Sequence, residues 1–331
     1  YYGCVPSKSL LKTASIYHSI RDSERFGLPK AQTPVVDMQA VNARIASVIG
    51  RIEKHDSPER FRELGAEVYL GHAEFRSPHE IVFREGSGAE QTMSAKHIIL
   101  ATGSSPRAIP FPGIEETGYF TNIDAFSLPE LPRRIATIGA GPIGVELSQA
   151  YRRLGAEVTI FDMAGQVLPR EDADMAEVVQ RRLVADGVAL ELGAKIERFE
   201  QAGAVKKVHV TTSEGAEKVI EVDAILMAVG RQGNTEGLGL ENAGVKVEKS
   251  FATTDSKLRT SQDHILAVGD VNGRYLFTHL AGAEGSVAVR RTALHVGGSM
   301  NYSAVPWVTY VDPELASVAY NETRASEAGI A

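Results

Sequence analysis

The only cysteine of this 331-residue chain, Cys4, stands in the opening stretch "YYGCVPSK". A lone cysteine most often packs as a small hydrophobe. Its neighbours suggest another use. Pro6 suits the first turn of a helix, so the stretch predicts a helix start. A thiol placed there meets unpaired backbone N–H groups, which favour the nucleophilic thiolate. Lys8 adds positive charge nearby. On these residues alone Cys4 is either a reactive sulfur or a core side chain, and both readings stand.

A second constellation is Gly139-Ala140-Gly141-Pro142-Ile143-Gly144. The G-x-G-x-x-G spelling is weak by itself, but a strand-like "RRIATIG" precedes it and a helical "VELSQAYRRLG" follows. An acid, Asp162, ends the next strand about twenty residues on, as a dinucleotide site requires. Gly139 permits the tight turn, Gly141 lets backbone approach a pyrophosphate, and Gly144 allows helix and strand to pack closely. The helix start then offers N–H groups to the phosphates. Asp162 is placed to accept hydrogen bonds from a ribose hydroxyl pair and to repel a 2′-phosphate. No base precedes Arg170 in the stretch that follows, so the spacing predicts NAD rather than NADP. The competing reading is a glycine turn in another α/β fold.

Composition bounds the rest. About 43% hydrophobic and 23% charged residues is ordinary for a globular protein, and the length suggests two or three domains. A net charge of −7 argues against a nucleic-acid surface. No run approaches the roughly 18 apolar residues of a membrane span. One cysteine excludes a disulfide scaffold and fits a reducing cytoplasm. No histidine spacing suggests a metal site; His72, His279 and His295 read as structural or surface residues.

Apolar spacing predicts helices over the first sixty or so residues, in 7–20 and 37–64, and later over 172–186 and 282–296. Short strands are expected in 66–75, 80–85, 95–103, 188–192, 207–212, 224–229 and 264–270. A Pro- and Gly-rich connector follows Gly103, and antiparallel strands close the chain from about Asn301. Alternating β and α elements predict parallel sheets covered by helices.

Five motifs stand in order: "GCVPSK", "ATGSSP", "GAGPIGVE", "VGRQGN" and "AVGDVNG". Together they resemble the class I pyridine nucleotide–disulfide oxidoreductases, with "LPREDADM" and "VPWVTYVDPELASV" nearest the dihydrolipoamide dehydrogenase and mercuric-reductase-like members. The resemblance spans essentially the whole chain. It implies an α/β fold with two Rossmann-like, doubly wound domains and the start of an α+β dimerisation domain. The expected division is 1–118 and 241–303 for FAD, 119–240 for NAD and 304–331 for the dimerisation domain.

The resemblance also assigns roles. Cys4 matches the flavin-side cysteine of a C-x-x-x-x-C redox disulfide, whose partner would lie two residues before Tyr1. Lys8 matches a lysine beside the flavin, paired with a glutamate at Glu146, and these three are the expected catalytic residues. FAD would be held by Lys8, Ala73, Ala101, Thr102, Gly103, Asp270 and Thr278. NAD would be held by Gly139, Gly141, Pro142, Ile143, Gly144, Glu146, Asp162 and Gly230. The implied activity is electron transfer from NADH through flavin to a small-molecule or protein-bound disulfide, in a cytoplasmic homodimer, with no nucleic-acid or membrane partner.

Three family parts are not in the sequence: an N-terminal FAD glycine motif, the partner cysteine and a C-terminal His–Glu pair. The chain is therefore expected to be an internal fragment that binds FAD weakly and lacks disulfide reductase activity by itself. A flavoprotein NADH oxidase or peroxidase using one cysteine, and a non-catalytic dinucleotide-binding protein, remain the alternatives.

Overall fold

A computed structural model describes residues 1–86 and 88–330. The chain divides into two compact units. The first comprises Tyr1–Lys54, Pro106–Gly230 and the segment from Pro306 onward; the second comprises His55–Ser105 and Arg231–Val305. Packing thus divides the chain after residues 54, 105, 230 and 305, whereas the motif order suggests boundaries after 118, 240 and 303.

The first unit is built on a four-stranded parallel sheet, ordered Ala224–Met227, Arg134–Ile138, Glu157–Asp162, Ala189–Leu192. The fourth strand in sequence lies on the far side of the first, so the sheet has a switch point between Arg134–Ile138 and Ala224–Met227. Ligands of such sheets bind outside the carboxyl ends of the strands at that point. The strand residues Ala136, Ile138, Ile160, Phe161 and Ile225 are fully or almost fully buried, as apolar strands covered on both faces must be.

Helices Pro142–Leu154 and Ala173–Ala185 make the first two crossovers. The third is different. Three antiparallel strands, Lys195–Ala202, Val205–Thr211 and Glu217–Val222, occupy its place. Only the middle one is expected from sequence. The outer two are edge strands whose exposed charged residues hide the alternation.

Helix Cys4–Arg21 packs against helix Pro142–Leu154, its Leu10 and Ala14 entering the same core as Val145, Leu147 and Tyr151. A polar cluster around the buried Arg153 secures the far end. Arg153 Nε donates to Asp186 Oδ2 at 2.9 Å and its terminal nitrogen donates to Asp312 Oδ2 at 2.7 Å. Gln149 exchanges two hydrogen bonds with the Asp312 backbone. His18 lies with its two ring nitrogens each 2.9 Å from an arginine, Arg21 and Arg182. Burial, then the charge of Arg153, holds the His18 imidazole below its usual range.

Asp312 belongs to the final antiparallel pair, Pro306–Thr309 with Leu315–Val318, expected from "VPWVTYVDPELASV". The cluster therefore ties helix Cys4–Arg21, two crossover helices and this hairpin together.

In the second unit Ile98–Leu100 and Ile265–Ala267 pair in parallel. His72–Ser77, Glu80–Arg84 and Gln91–Ser94 form an antiparallel sheet. Phe75, Leu100, Leu240, Val245, Ile265 and Val271 share its core.

Several expected bounds shift. The helix expected over 282–296 spans Thr278–Thr292, and the strands expected over 95–103 and 264–270 are Ile98–Leu100 and Ile265–Ala267. The strand expected from residue 66 begins only at His72, because Tyr69 and Leu70 are exposed and no described strand pairs with 66–71. The helix expected over 37–64 divides into Met38–Asp56 and Pro58–Glu63. Ser57 caps the second piece by accepting from Arg60 N at 3.2 Å, with Pro58 at its first position.

A Cβ at Gly144 would lie 1.9 Å from the Gly139 carbonyl oxygen. Gly144→Ala should therefore destabilise the protein by about 1–3 kcal/mol in urea unfolding. Arg153→Ala leaves the buried Asp186 carboxylate short of a partner and should cost about 3–5 kcal/mol in the same assay.

The pH dependence follows in sign. His18 is held neutral in the fold, so below its ordinary value of 6.5 the unfolded chain binds the extra proton. Its contribution is complete above 6.5 and is lost as the pH falls toward the lowered folded-state value. In unfolding titrations between about pH 7.5 and 5.5, His18→Gln should show a shallower loss of stability than the parent.

Candidate active site

Cys4 opens its helix and is exposed. Gly3 caps the helix by geometry, its carbonyl accepting from Ser7 N at 3.1 Å. Lys8 follows four residues later, on the same helix face as Cys4. Its Nζ donates to Glu146 Oε2 at 2.6 Å.

Glu146 comes from the second turn of helix Pro142–Leu154 and is 6% exposed. A carboxylate so buried requires donors. Its other oxygen, Oε1, accepts from the backbone N–H of Tyr310 at 2.8 Å. The Tyr310 ring lies under the ammonium, with Lys8 Nζ 4.5 Å from its centroid. The three expected catalytic residues therefore share one unit, and two of them touch across 138 residues of sequence.

The glycine turn follows strand Arg134–Ile138, at the sheet's switch point. Gly139 has φ of +106°, and a Cβ there would fall 2.4 Å from the Ala228 carbonyl oxygen. Gly141 caps helix Pro142–Leu154, and a Cβ there would enter open space. That is the space a pyrophosphate needs over a helix N-terminus. Pro142 and Ile143 begin the helix. Gly230 is exposed beyond strand Ala224–Met227, and its carbonyl accepts from Arg107 N at 2.9 Å.

Asp162 ends its strand with Oδ2 accepting from Ala140 N at 2.6 Å and Oδ1 from Ala164 N at 2.8 Å. A carboxylate has about four lone-pair sites, so these bonds orient it over the turn and leave acceptor capacity for a ribose. These residues fit a dinucleotide.

The remaining expected FAD residues lie in the second unit, apart from Lys8 in the first. Ala101, Thr102 and Gly103 follow the carboxyl end of strand Ile98–Leu100, with Ala101 and Thr102 exposed. Asp270 follows the carboxyl end of the neighbouring parallel strand Ile265–Ala267. Thr278 is the exposed first residue of helix Thr278–Thr292. Ala73 is exposed on strand His72–Ser77. Exposed backbone and a carboxylate at paired strand ends again suit a nucleotide.

Sequence reasoning missed the residues that hold this second set. Ser104 Oγ donates to Asp270 Oδ2 at 2.5 Å and accepts from Arg231 Nε at 2.7 Å. Asn234 brackets the Ala101–Gly103 turn: its Nδ2 donates to Thr102 O at 2.8 Å and its backbone N to Gly103 O at 3.0 Å. All three stand inside the quoted "ATGSSP" and "VGRQGN" motifs, but nothing in the spelling shows that these motifs meet. Among the described residues, no group of three or more His, Cys, Asp and Glu is arranged to hold a metal.

Glu146→Ala would remove the acceptor of both the Lys8 ammonium and the Tyr310 N–H. Urea unfolding should show a loss of about 1–3 kcal/mol.

Residues 1–285 match the family model for pyridine nucleotide-disulphide oxidoreductase. The chain is 33% identical to a dihydrolipoyl dehydrogenase of Rhizobium etli, covering 99% of this chain and 71% of the relative. It is also 33% identical to a mercuric reductase of Lysinibacillus sphaericus, covering 99% of this chain and 59% of that one. Among solved structures, the Cu(II) complex of the HOCl-induced flavoprotein disulfide reductase RclA from Escherichia coli superposes with a TM-score of 0.83 at 29% identity. That match covers 99% of this chain and 69% of the other. The glycine turn at the switch point, the acid that follows it and the Lys8–Glu146 pair thus occur in a chain that belongs to the pyridine nucleotide-disulphide oxidoreductase family.

Proposed function

We propose that this chain carries most of an FAD-dependent NADH:disulfide oxidoreductase with Cys4 as the flavin-side sulfur. The observation that carries the reading is the 2.6 Å contact of Lys8 with the buried Glu146, on the helix that Cys4 opens. In this reading residues 1–118 and 241–303 serve FAD, 119–240 serve NAD, and residues from 304 begin a dimerisation domain.

Bound FAD would supply the chemistry of accepting a hydride from NADH and passing two electrons to a disulfide. The chain's own residues bind and orient. The N-terminus of helix Pro142–Leu154 receives the NADH pyrophosphate over Gly141, and Asp162 accepts from the ribose hydroxyls. Asp270, oriented by Ser104 and Arg231, accepts from the ribitol hydroxyls. Ala73, the Ala101–Gly103 turn and the Thr278 backbone hold the remainder of FAD. Lys8, its charge held in place by Glu146, stabilises negative charge developing beside it.

Two electrons and two protons break the bond between Cys4 and a cysteine two residues before Tyr1. The two resulting thiols are reoxidised by exchange with a substrate disulfide, which leaves as a dithiol; thiolate attack drives each exchange. The relatives' names supply two reactant types, dihydrolipoyl groups and mercuric ion: a dihydrolipoyl dithiol would exchange with the oxidised Cys4 disulfide and run the scheme in reverse, whereas mercuric ion would be bound by the reduced thiols as thiolates. The working form in this reading is a homodimer in the reducing cytoplasm.

Anaerobic stopped-flow mixing of the flavin-loaded protein with each nicotinamide tests the scheme. NADH should bleach the flavin at least about tenfold faster than NADPH, since Asp162 repels a 2′-phosphate. Asp162→Ala should narrow that ratio, and Lys8→Met should slow bleaching. Faster reduction by NADPH would overturn the NAD assignment, and no bleaching by either nucleotide would overturn the function.

A further inference from the structure

The Lys8–Glu146 pair is held from a third side, by a residue to which the scheme above gives no part. Tyr310 directly follows strand Pro306–Thr309 of the final hairpin. It meets the pair twice, through groups that act in different ways. Its backbone N–H donates to Glu146 Oε1 at 2.8 Å. Its ring centroid lies 4.5 Å from Lys8 Nζ.

The first contact is selective. With Oε1 occupied by a fixed backbone donor, the carboxylate presents Oε2 to the ammonium, and the carboxyl plane cannot turn freely. The second contact acts on the other partner. Lysine has a long, mobile side chain that gives up much rotamer freedom when held in one place. Lys8 is about one-third exposed, with a side-chain accessibility of 35%, so burial does not confine it. A ring face beneath the ammonium supplies attraction without competing for the N–H donors. The ammonium keeps two further donors beyond the one given to Glu146.

The hairpin itself is firmly seated. Asp312, two residues on, exchanges backbone hydrogen bonds with the Gln149 side chain and accepts from Arg153, both on the helix that carries Glu146. Tyr310 is thereby fixed to that helix, with its contacts on Glu146 and Lys8 set by the same hairpin.

We propose that Tyr310 is a positioning residue for Lys8: its N–H orients Glu146, and its ring holds the Lys8 ammonium where the flavin reading needs it. The inference rests on the proposed role of Lys8, yet the geometry can be tested without flavin.

The test uses the flavin-loaded protein and the same protein stripped of flavin, as parent, Tyr310→Phe and Tyr310→Leu. Acylation of Lys8 by an amine-selective reagent is timed by mass spectrometry of its peptide in the stripped form. Tyr310→Leu should raise the rate about two- to fivefold, the size of an exposed cation–π contact, and Tyr310→Phe should restore the parent rate. In the loaded form, bleaching by NADH should slow by a similar factor in Tyr310→Leu and recover in Tyr310→Phe.

If Tyr310→Leu does not fold, the parent alone decides. A nuclear Overhauser contact between the Lys8 Cε protons and the Tyr310 ring is expected, and its absence overturns the proposal. Equal Lys8 acylation in parent and Tyr310→Leu, or a Tyr310→Phe that behaves like Tyr310→Leu, also overturns it. If Tyr310 controls acylation while Lys8→Met leaves bleaching unchanged, the positioning holds and the flavin role of Lys8 fails instead.

Discussion

The burial of one carboxylate constrains most of what this chain can do. Glu146 is nearly enclosed, and an ion in that setting is costly unless both oxygens find donors. One donor comes from Lys8 and the other from the Tyr310 backbone. Both come from segments far away in sequence, so satisfying Glu146 requires helix Cys4–Arg21 and the final hairpin to dock on helix Pro142–Leu154 together. Cys4 is then carried to the same face of the helix as Lys8. The glycine turn is set by the same helix, because Gly144 brings its first turn against the strand end at Gly139. A nucleotide turn, a charged pair and a thiol-bearing helix are thereby built on one helix.

The cluster of Arg153, Asp186 and His18, with Arg182 and the exposed Asp312 at its edge, supports this arrangement from the other end of the helix. Burial opposes ionisation of Asp312, but its hydrogen bond with Arg153, then the charges of Arg153 and Arg182, outweigh that and hold its pKa low. Buried ion networks are not strong sources of net stability, but breaking one partner is costly. Here the network fixes which helices and which hairpin meet, and that geometry decides where Lys8 points.

Much of this was legible in the residues. Gly139, Gly144 and Asp162 stand at spacings whose physical purpose is local: a positive φ, a close approach, a strand-end acid. The structure places them in those roles, within a few residues of where they are spelled. The hairpin at Pro306–Val318 was legible for the same reason, through its alternating pattern. What could not be read was long-range. Lys8 and Glu146 became a pair only through resemblance to a family. Ser104, Arg231 and Asn234 stand inside recognisable motifs, but a hydrogen bond across more than a hundred residues leaves no trace in spacing. The two outer strands of the antiparallel crossover were hidden for a different reason: strands exposed on their outer face are rich in charged residues, which blur the period of two.

In the proposed function Cys4 is half of a redox disulfide beside the Lys8–Glu146 pair. Counting titratable thiols in denaturant, before and after anaerobic NADH, tests it most directly on the full-length protein. A gain of two thiols per chain that disappears in Cys4→Ser is expected. No gain, with the flavin still reduced by NADH, would contradict it and leave Cys4 outside the disulfide chemistry.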